Sequence, residues 1–214
     1  MKTYAFLLIF LVAGRLFSET ASDSIRAATG DVRVEFAGKS HPAQKGERLP
    51  QNATVRTGSN GICLLALAAG HQLKLLADSE IHVTADPRSA RVELRSGGVF
   101  AKVRKLLDTE SFSLQSGSML CGVRGTEFFA GRAPTAQGQK HWLCVREGVV
   151  LVSASTGEAK PVKAGEGVAV AEGGPVSAPK AFAWTQKLNW DVEDLDPARD
   201  GSKFKKWMTE PAAK

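Results

Sequence analysis

Few side chains in this 214-residue chain have types and spacing suited to chemistry. Arg124 and Glu127 stand either side of Gly125 in the stretch Cys121-Gly122-Val123-Arg124-Gly125-Thr126-Glu127-Phe128-Phe129. That opposite-charge pair could present a partner surface or hold a turn, with Arg124 bound to Glu127 or to neighbouring carbonyls. Cys144 lies three residues after His141, and a cysteine beside a histidine can serve as a thiolate nucleophile. In a strand, however, residues three apart face opposite sides, so the pair is not expected to meet. The acids fall mostly at turns. Metal chemistry has no spacing to support it: C-x-x-C and H-x-x-x-H are both absent from the sequence. The expectation is therefore no catalytic residue, no bound metal and no cofactor.

Glycines and β-favouring residues must position this stretch. Gly122 and Gly125 mark a bend or a close chain approach between two strand segments. Upstream, Gly30-Asp31-Val32-Arg33-Val34-Glu35-Phe36 alternates apolar and polar residues as a half-buried strand does. Ile62 to Leu67 is continuously apolar, and His71-Gln72-Leu73-Lys74-Leu75 resumes alternation with Leu73 and Leu75 inward. Ile81-His82-Val83-Thr84, Arg91-Val92-Glu93-Leu94 and Gly98-Val99-Phe100-Ala101-Lys102-Val103 read as three further strands, with His82 pointing to solvent. Gly131 to Gln139 reads as a flexible loop by composition. Beyond it, Trp142 to Val152 reads as two strands about a Glu-Gly corner, and Lys160 to Val170 repeats that pattern. Short strands punctuated by glycine predict an all-β single domain, a twisted β-sandwich or a solenoid-like stack.

The N-terminus sets the compartment. Lys2, the apolar run Tyr4 to Gly14, then Arg15 and a more polar stretch match a secretory signal, assigned to residues 1–22. The run is too short to span a bilayer comfortably, and no later segment offers a transmembrane helix once the signal is cleaved. The expected location is the periplasm, or export in a Gram-negative-type bacterium. Three cysteines, Cys63, Cys121 and Cys144, allow at most one intramolecular disulfide. Each sits in an apolar strand-like run, which suits buried reduced thiols; one structural disulfide is the alternative.

A net charge of +6 and a pI near 9.3 raise the question of an anionic partner. Lys2 and Arg15 leave with the signal. The remaining basic residues are scattered among acids, with no stripe interleaved with aromatics, so nucleic acid is not an expected partner. After the β domain, placed at residues 23–172, composition changes in a C-terminal extension over 173–214 that is mostly irregular or partly helical. It holds Trp184, Trp190 and Trp207, an acidic patch from Asp191 to Asp196 and a basic end from Lys203 to Trp207. The three tryptophans are candidate partner-binding residues, and Trp184, Leu188 and Trp190 could instead dock on the β domain as a cap.

With the strands laid out, the order of landmarks resembles the FecR-domain family. Val123-Arg124-Gly125-Thr126-Glu127-Phe128 fits its V-R-G-T-x-F block, and Val145-Arg146-Glu147-Gly148-Val149-Val150 fits its later V-x-E-G-x-V strand. Ala164-Gly165-Glu166 resembles the closing A-G-E element. The likeness spans about Ser24 to Val170. It implies a periplasmic β-rich domain used in cell-surface signalling, and it assigns the motif residues Val123 to Phe128, Glu147 and Gly148 no catalytic work. Well-known members are transmembrane regulators with a cytoplasmic anti-sigma segment. Here the domain is expected to begin within a few residues of the signal, without that segment or a membrane helix.

Two roles follow. One is a non-catalytic signalling or assembly adaptor that binds another envelope protein, by strand addition to a free edge for example. The other is a structural or carbohydrate-binding module on peptidoglycan or surface glycan. The tryptophans separate them, since glycan stacking needs Trp184 and Trp190 exposed on one flat face.

Overall fold

The computed structural model describes residues 22–196 and Arg199. All of the expected signal segment except Ser22 lies outside the described residues, as does Trp207. Fifteen strands follow one another: β1 Ser24–Thr29, β2 Val32–Phe36, β3 Lys39–Pro42, β4 Ala53–Thr57, β5 Ile62–Ala66, β6 Gln72–Leu75, β7 Glu80–Ala85, β8 Ser89–Val103, β9 Ser111–Ser116, β10 Met119–Val123, β11 Thr126–Thr135, β12 Gly138–Glu147, β13 Val149–Ser153, β14 Lys160–Lys163 and β15 Gly167–Ala171. A single 3-10 turn, Ala183–Lys187, is the one regular element after them among the described residues. The protein is all-β, and no described helix is long and apolar enough to cross a membrane.

Hydrogen bonding joins the strands into one network folded as two leaves. The first leaf runs β14-β13-β10-β9-β8-β7-β4-β2-β3. The second runs β1-β5-β6-β8-β11-β12-β15. Strand β8 belongs to both: Ala90 to Ser96 pair with β7, and Val99 to Lys102 pair with β6. Sequence alternation reads two strands there; the chain makes one, because Gly97, at φ +76°, turns the backbone from one leaf into the other while pairing with neighbouring strands continues on both sides of it. Pairing is antiparallel except between β8 and β9, which run parallel from Ser89↔Ser111 to Glu93↔Gln115.

Period-two alternation gives each leaf an apolar inner face. Val34, Val55, Ile81, Val92, Leu114 and Val150 of the first leaf meet Ile25, Leu65, Leu73, Ala101, Phe128 and Leu143 of the second in one buried core. The segment Gly131–Gln139, read as a loop, is instead the end of a long hairpin. Arg132 pairs with His141 and Ala133 with Lys140, and only Ala136 and Gln137 form the turn. Cross-strand pairing and burial of Ala133 outweigh the turn-like composition.

The free edges of the first leaf, β3 and β14, carry Lys39, Pro42, Lys160, Pro161 and Lys163. Lysine and proline on an edge discourage pairing with another strand. In the second leaf, β15 is met by the chain that follows, through Val170↔Val176 and Gly167↔Lys180.

Candidate partner-binding surface

The V-R-G-T and E-G motifs meet at one end of the sandwich. Val123 closes β10 as a buried residue, Arg124 and Gly125 turn, and Thr126 opens β11. Gly125 has φ +63° and Gly148 has φ +84°, in the left-handed region. A Cβ on Gly148 would lie 2.7 Å from the Gly125 carbonyl oxygen and 2.7 Å from Thr126 Cγ2, so the site has room for hydrogen alone. Phe128 fills the core and meets Phe112 edge-on at 6.3 Å. Thr126 is buried, and its Oγ1 has no hydrogen-bond partner among the described residues.

The charges are paired differently from the sequence expectation. Arg124 reaches Asp108 of the β8–β9 connection at 2.9 Å. Glu127 instead receives Arg146 at 3.3 Å. The cause is a register shift between Glu127 and Phe128: Glu127 opposes Glu147 and Phe128 opposes Val145, which leaves Arg146 as the bulged residue beside Glu127.

A cleft of 560 Å³ opens beside this junction, lined by Lys102, Lys105, Arg124, Thr126, Glu127 and Glu147 among others. A second, of 700 Å³, shares Gln72, Lys102 and Glu127 with it and runs on to Trp190, Asp191 and Glu193. Together they form one trough, basic at the motif end and acidic at the other. Arg104, also on its wall, binds Glu110 at 2.5 Å. That contact holds the Glu110 carboxyl below the usual range, helped by the Leu107 amide.

The far wall of the trough is the chain after β15. Trp184 lies edge-on to Phe129 at 6.1 Å, and Trp190 edge-on to Phe100 at 5.3 Å. Leu188 and Val192 are buried there with Leu64, Leu76, Phe100, Phe129 and Trp142, on the outer face of the second leaf. Lys74 is wholly buried in this layer. Its Nζ donates to the carbonyl oxygens of Asn189, Asp191 and Asp194 at 2.9, 2.6 and 3.4 Å and stands 4.8 Å from the Phe100 ring centre. Alternation makes Lys74 an outward residue, and only the tertiary cover explains its burial.

His141 and Cys144 face opposite sides of β12, as strand geometry requires. His141 makes a different set of contacts: Nδ1 lies 2.9 Å from Ser116 Oγ, and Nε2 lies 2.9 Å from Glu172 Oε2. A serine, histidine and carboxylate in line suggest nucleophile activation, yet Ser116 and His141 are fully buried. The contacts tie β9 of one leaf to β12 of the other. Burial also depresses the His141 pKa, against the pull of Glu172. All three cysteines are free thiols, and burial pushes Cys63 up to about 12 and raises Cys121 and Cys144 as well. None is activated as a thiolate. No sequence signal joins Ser116, His141 and Glu172, which come from three separate strands and turns.

Residues 53–151 match the family model described as FecR protein, and this stretch contains both motifs whose glycines touch. Over these residues, just under half of the chain, the protein is similar to the FecR domain. No curated protein matches it with significance. Among solved structures, two of proposed anti-sigma factors from Parabacteroides distasonis ATCC 8503 share the fold. The one at 2.50 Å resolution aligns with TM-score 0.53 and 18% identity over 62% of this chain and 64% of that one. The other, at 1.65 Å, aligns with TM-score 0.51 and 16% identity over 60% of this chain and 59% of that one. The chain thus spans less than two thirds of either protein. At these identities the likeness to the solved structures is one of fold.

Proposed function

We propose that this chain is an exported, non-catalytic adaptor that binds another envelope protein in signalling or assembly, at the periplasmic side of a Gram-negative-type envelope. The FecR match over residues 53–151 supports a signalling-related role that works through protein contacts, in a family that is generally non-enzymatic. The observation that carries the choice of a protein over a glycan is the packing of Trp184 and Trp190. Their rings are set against Phe129 and Phe100, not laid out on one open face. Lysine and proline on β3 and β14 disfavour strand addition there, so the partner surface falls to the trough beside the motif junction, where Lys102, Lys105 and Glu147 have no ion-pair partner among the described residues.

The test is affinity capture from envelope extract, using the mature chain and a Lys102→Glu/Lys105→Glu variant. A protein captured by the first and lost with the second is the expected result. Capture unaffected by the variant would move the partner surface elsewhere, and retention on purified cell-wall glycan without a captured protein would overturn the adaptor reading.

A further inference from the structure

The chain between Phe182 and Asp196 lies on the second leaf in an unusual way. Among the described residues its main-chain hydrogen bonds reach no strand: Thr185 N–H donates to Phe182, Leu188 N–H to Thr185 and Arg199 N–H to Asp196. The last main-chain bonds to a strand are those between Lys180 and Gly167. Side chains and the Lys74 ammonium therefore do the holding. What they cover is a concentrated apolar surface: Leu64, Leu76, Phe100, Phe129 and Trp142 all point outward from the leaf and are buried only by this segment and their neighbours.

Lys74 at the centre of that layer has a physical consequence. Burying an ammonium costs several kcal/mol before its partners compensate, and an apolar residue of similar length would often serve packing as well or better. Once the segment lifts, the ammonium regains water. The lysine thus lowers the free-energy difference between the covered and uncovered states, which an apolar residue would raise.

We propose that residues 182–196 are a displaceable cover, and that the face beneath them docks a partner segment of the same chemistry. This deepens the adaptor reading and rests on it. The cover shows what fits: two tryptophans six residues apart seated against Phe129 and Phe100, an aliphatic residue between them and another after, and main-chain carbonyls turned to Lys74. Charge defines the occupant further. The segment carries Asp191, Glu193, Asp194 and Asp196, and it faces Lys74, Arg146, whose guanidinium lies 5.9 Å from the Trp190 ring centre, and the Arg26 and Lys45 wall beside Glu193. The partner segment is acidic, with paired aromatic anchors. Carbonyl capture by Lys74 reads the course of its main chain and the ring pockets read its sequence.

The native cysteines report on the cover. Cys144 pairs in register with Phe129, on the outer face, and a Cβ added to Gly167 would meet both Cys144 Sγ and Phe182 at 2.9 Å. Cys63 and Cys121 lie in the core between the leaves. In the mature full-length chain under native conditions, alkylation by iodoacetamide, mapped by mass spectrometry, is expected to modify Cys144 at least tenfold faster than Cys63 and Cys121. Trp190→Ala is expected to accelerate Cys144 a further tenfold and leave the other two unchanged. A fluorescein-labelled peptide of residues 182–196 is expected to bind the full chain, and to bind the Trp190→Ala chain about tenfold more tightly, because less of the site is occupied in cis. Modification of all three cysteines at one common rate would mean that the cover opens only with global unfolding, and would overturn the proposal. Absence of peptide binding to the Trp190→Ala chain would overturn the docking role. Partner capture through Lys102 and Lys105 would survive either result, so the two readings fail separately.

Discussion

Gly148 sits so close to Gly125 that a Cβ on the first would stand 2.7 Å from the carbonyl oxygen of the second. The two glycines by which the sequence resembles the FecR domain are one contact, formed where β10 passes to β11 and β12 to β13. A Cβ on Gly125 would meet less, the nearest atom being Lys105 Cα at 3.3 Å.

Gly148→Ala is therefore expected to cost more stability than Gly125→Ala. The left-handed backbone accounts for about 1–2 kcal/mol at either position, and the main-chain overlap at Gly148 brings its total to roughly 3 kcal/mol. Urea unfolding of both variants measures the order, and a larger loss for Gly125→Ala would contradict the contact described.

Removing charge at the same junction should matter much less. Glu127→Gln loses a pair to Arg146 whose cationic partner is half exposed, a change of about 0.5 kcal/mol that fades in high salt. Gly125→Val should exceed it several-fold in the same urea series. If Glu127→Gln proved the more damaging, the motif would be built around its carboxylate and not its turn.

Acid should destabilise the fold through His71. This ring is fully buried, meets Phe112 edge-on at 5.2 Å and, among the described residues, has no hydrogen-bond partner on either nitrogen. Burial, reinforced by Arg104 and opposed by Glu110, lowers its pKa from 6.5 to about 4. Between those values the unfolded chain binds more protons than the folded one, so stability falls as pH drops from 6.5 towards 4, by up to about 1.4 kcal/mol per pH unit. Buried His141 adds loss in the same direction. Melting temperatures at pH 7 and pH 5 should differ more for the wild-type chain than for His71→Leu. Equal differences would remove His71 as the cause.

The thiols should remain reduced and slow. Burial has pushed all three above their ordinary range, and Cys121 shares the inner core with Cys63 while Cys144 faces outward from the other side of its strand. Intact mass of protein recovered from an oxidising compartment should show three free cysteines, and a loss of two hydrogens would show a disulfide instead.

Alternation was sufficient to locate most strands, because a leaf with one buried face imposes a period of two on Val32 to Phe36 or Gln72 to Leu75. Composition misled at Gly131 to Gln139, where glycine, proline and alanine suggest a loop while pairing to β12 extends the hairpin. Pairings between distant strands leave no mark on local pattern. The parallel contact of β8 with β9 and the Ser116–His141–Glu172 line were both invisible for that reason. Arg124 and Glu127 looked like partners because they are close in sequence, but the bulge at Arg146 separates them. Placing Leu73 and Leu75 inward sets only the direction of Lys74, because alternation says nothing about what later folds over a side chain.

Strand β8 carries a mechanical consequence. A sandwich whose leaves meet only through side chains can shear or part along its core, whereas here one unbroken backbone is woven into both. A pull on β11 passes through its hydrogen bonds to one half of β8, along the covalent backbone of β8 to its other half, and from there through hydrogen bonds to β7 and β9. The domain should behave as one cooperative body, able to relay strain from the trough at one end to the opposite leaf.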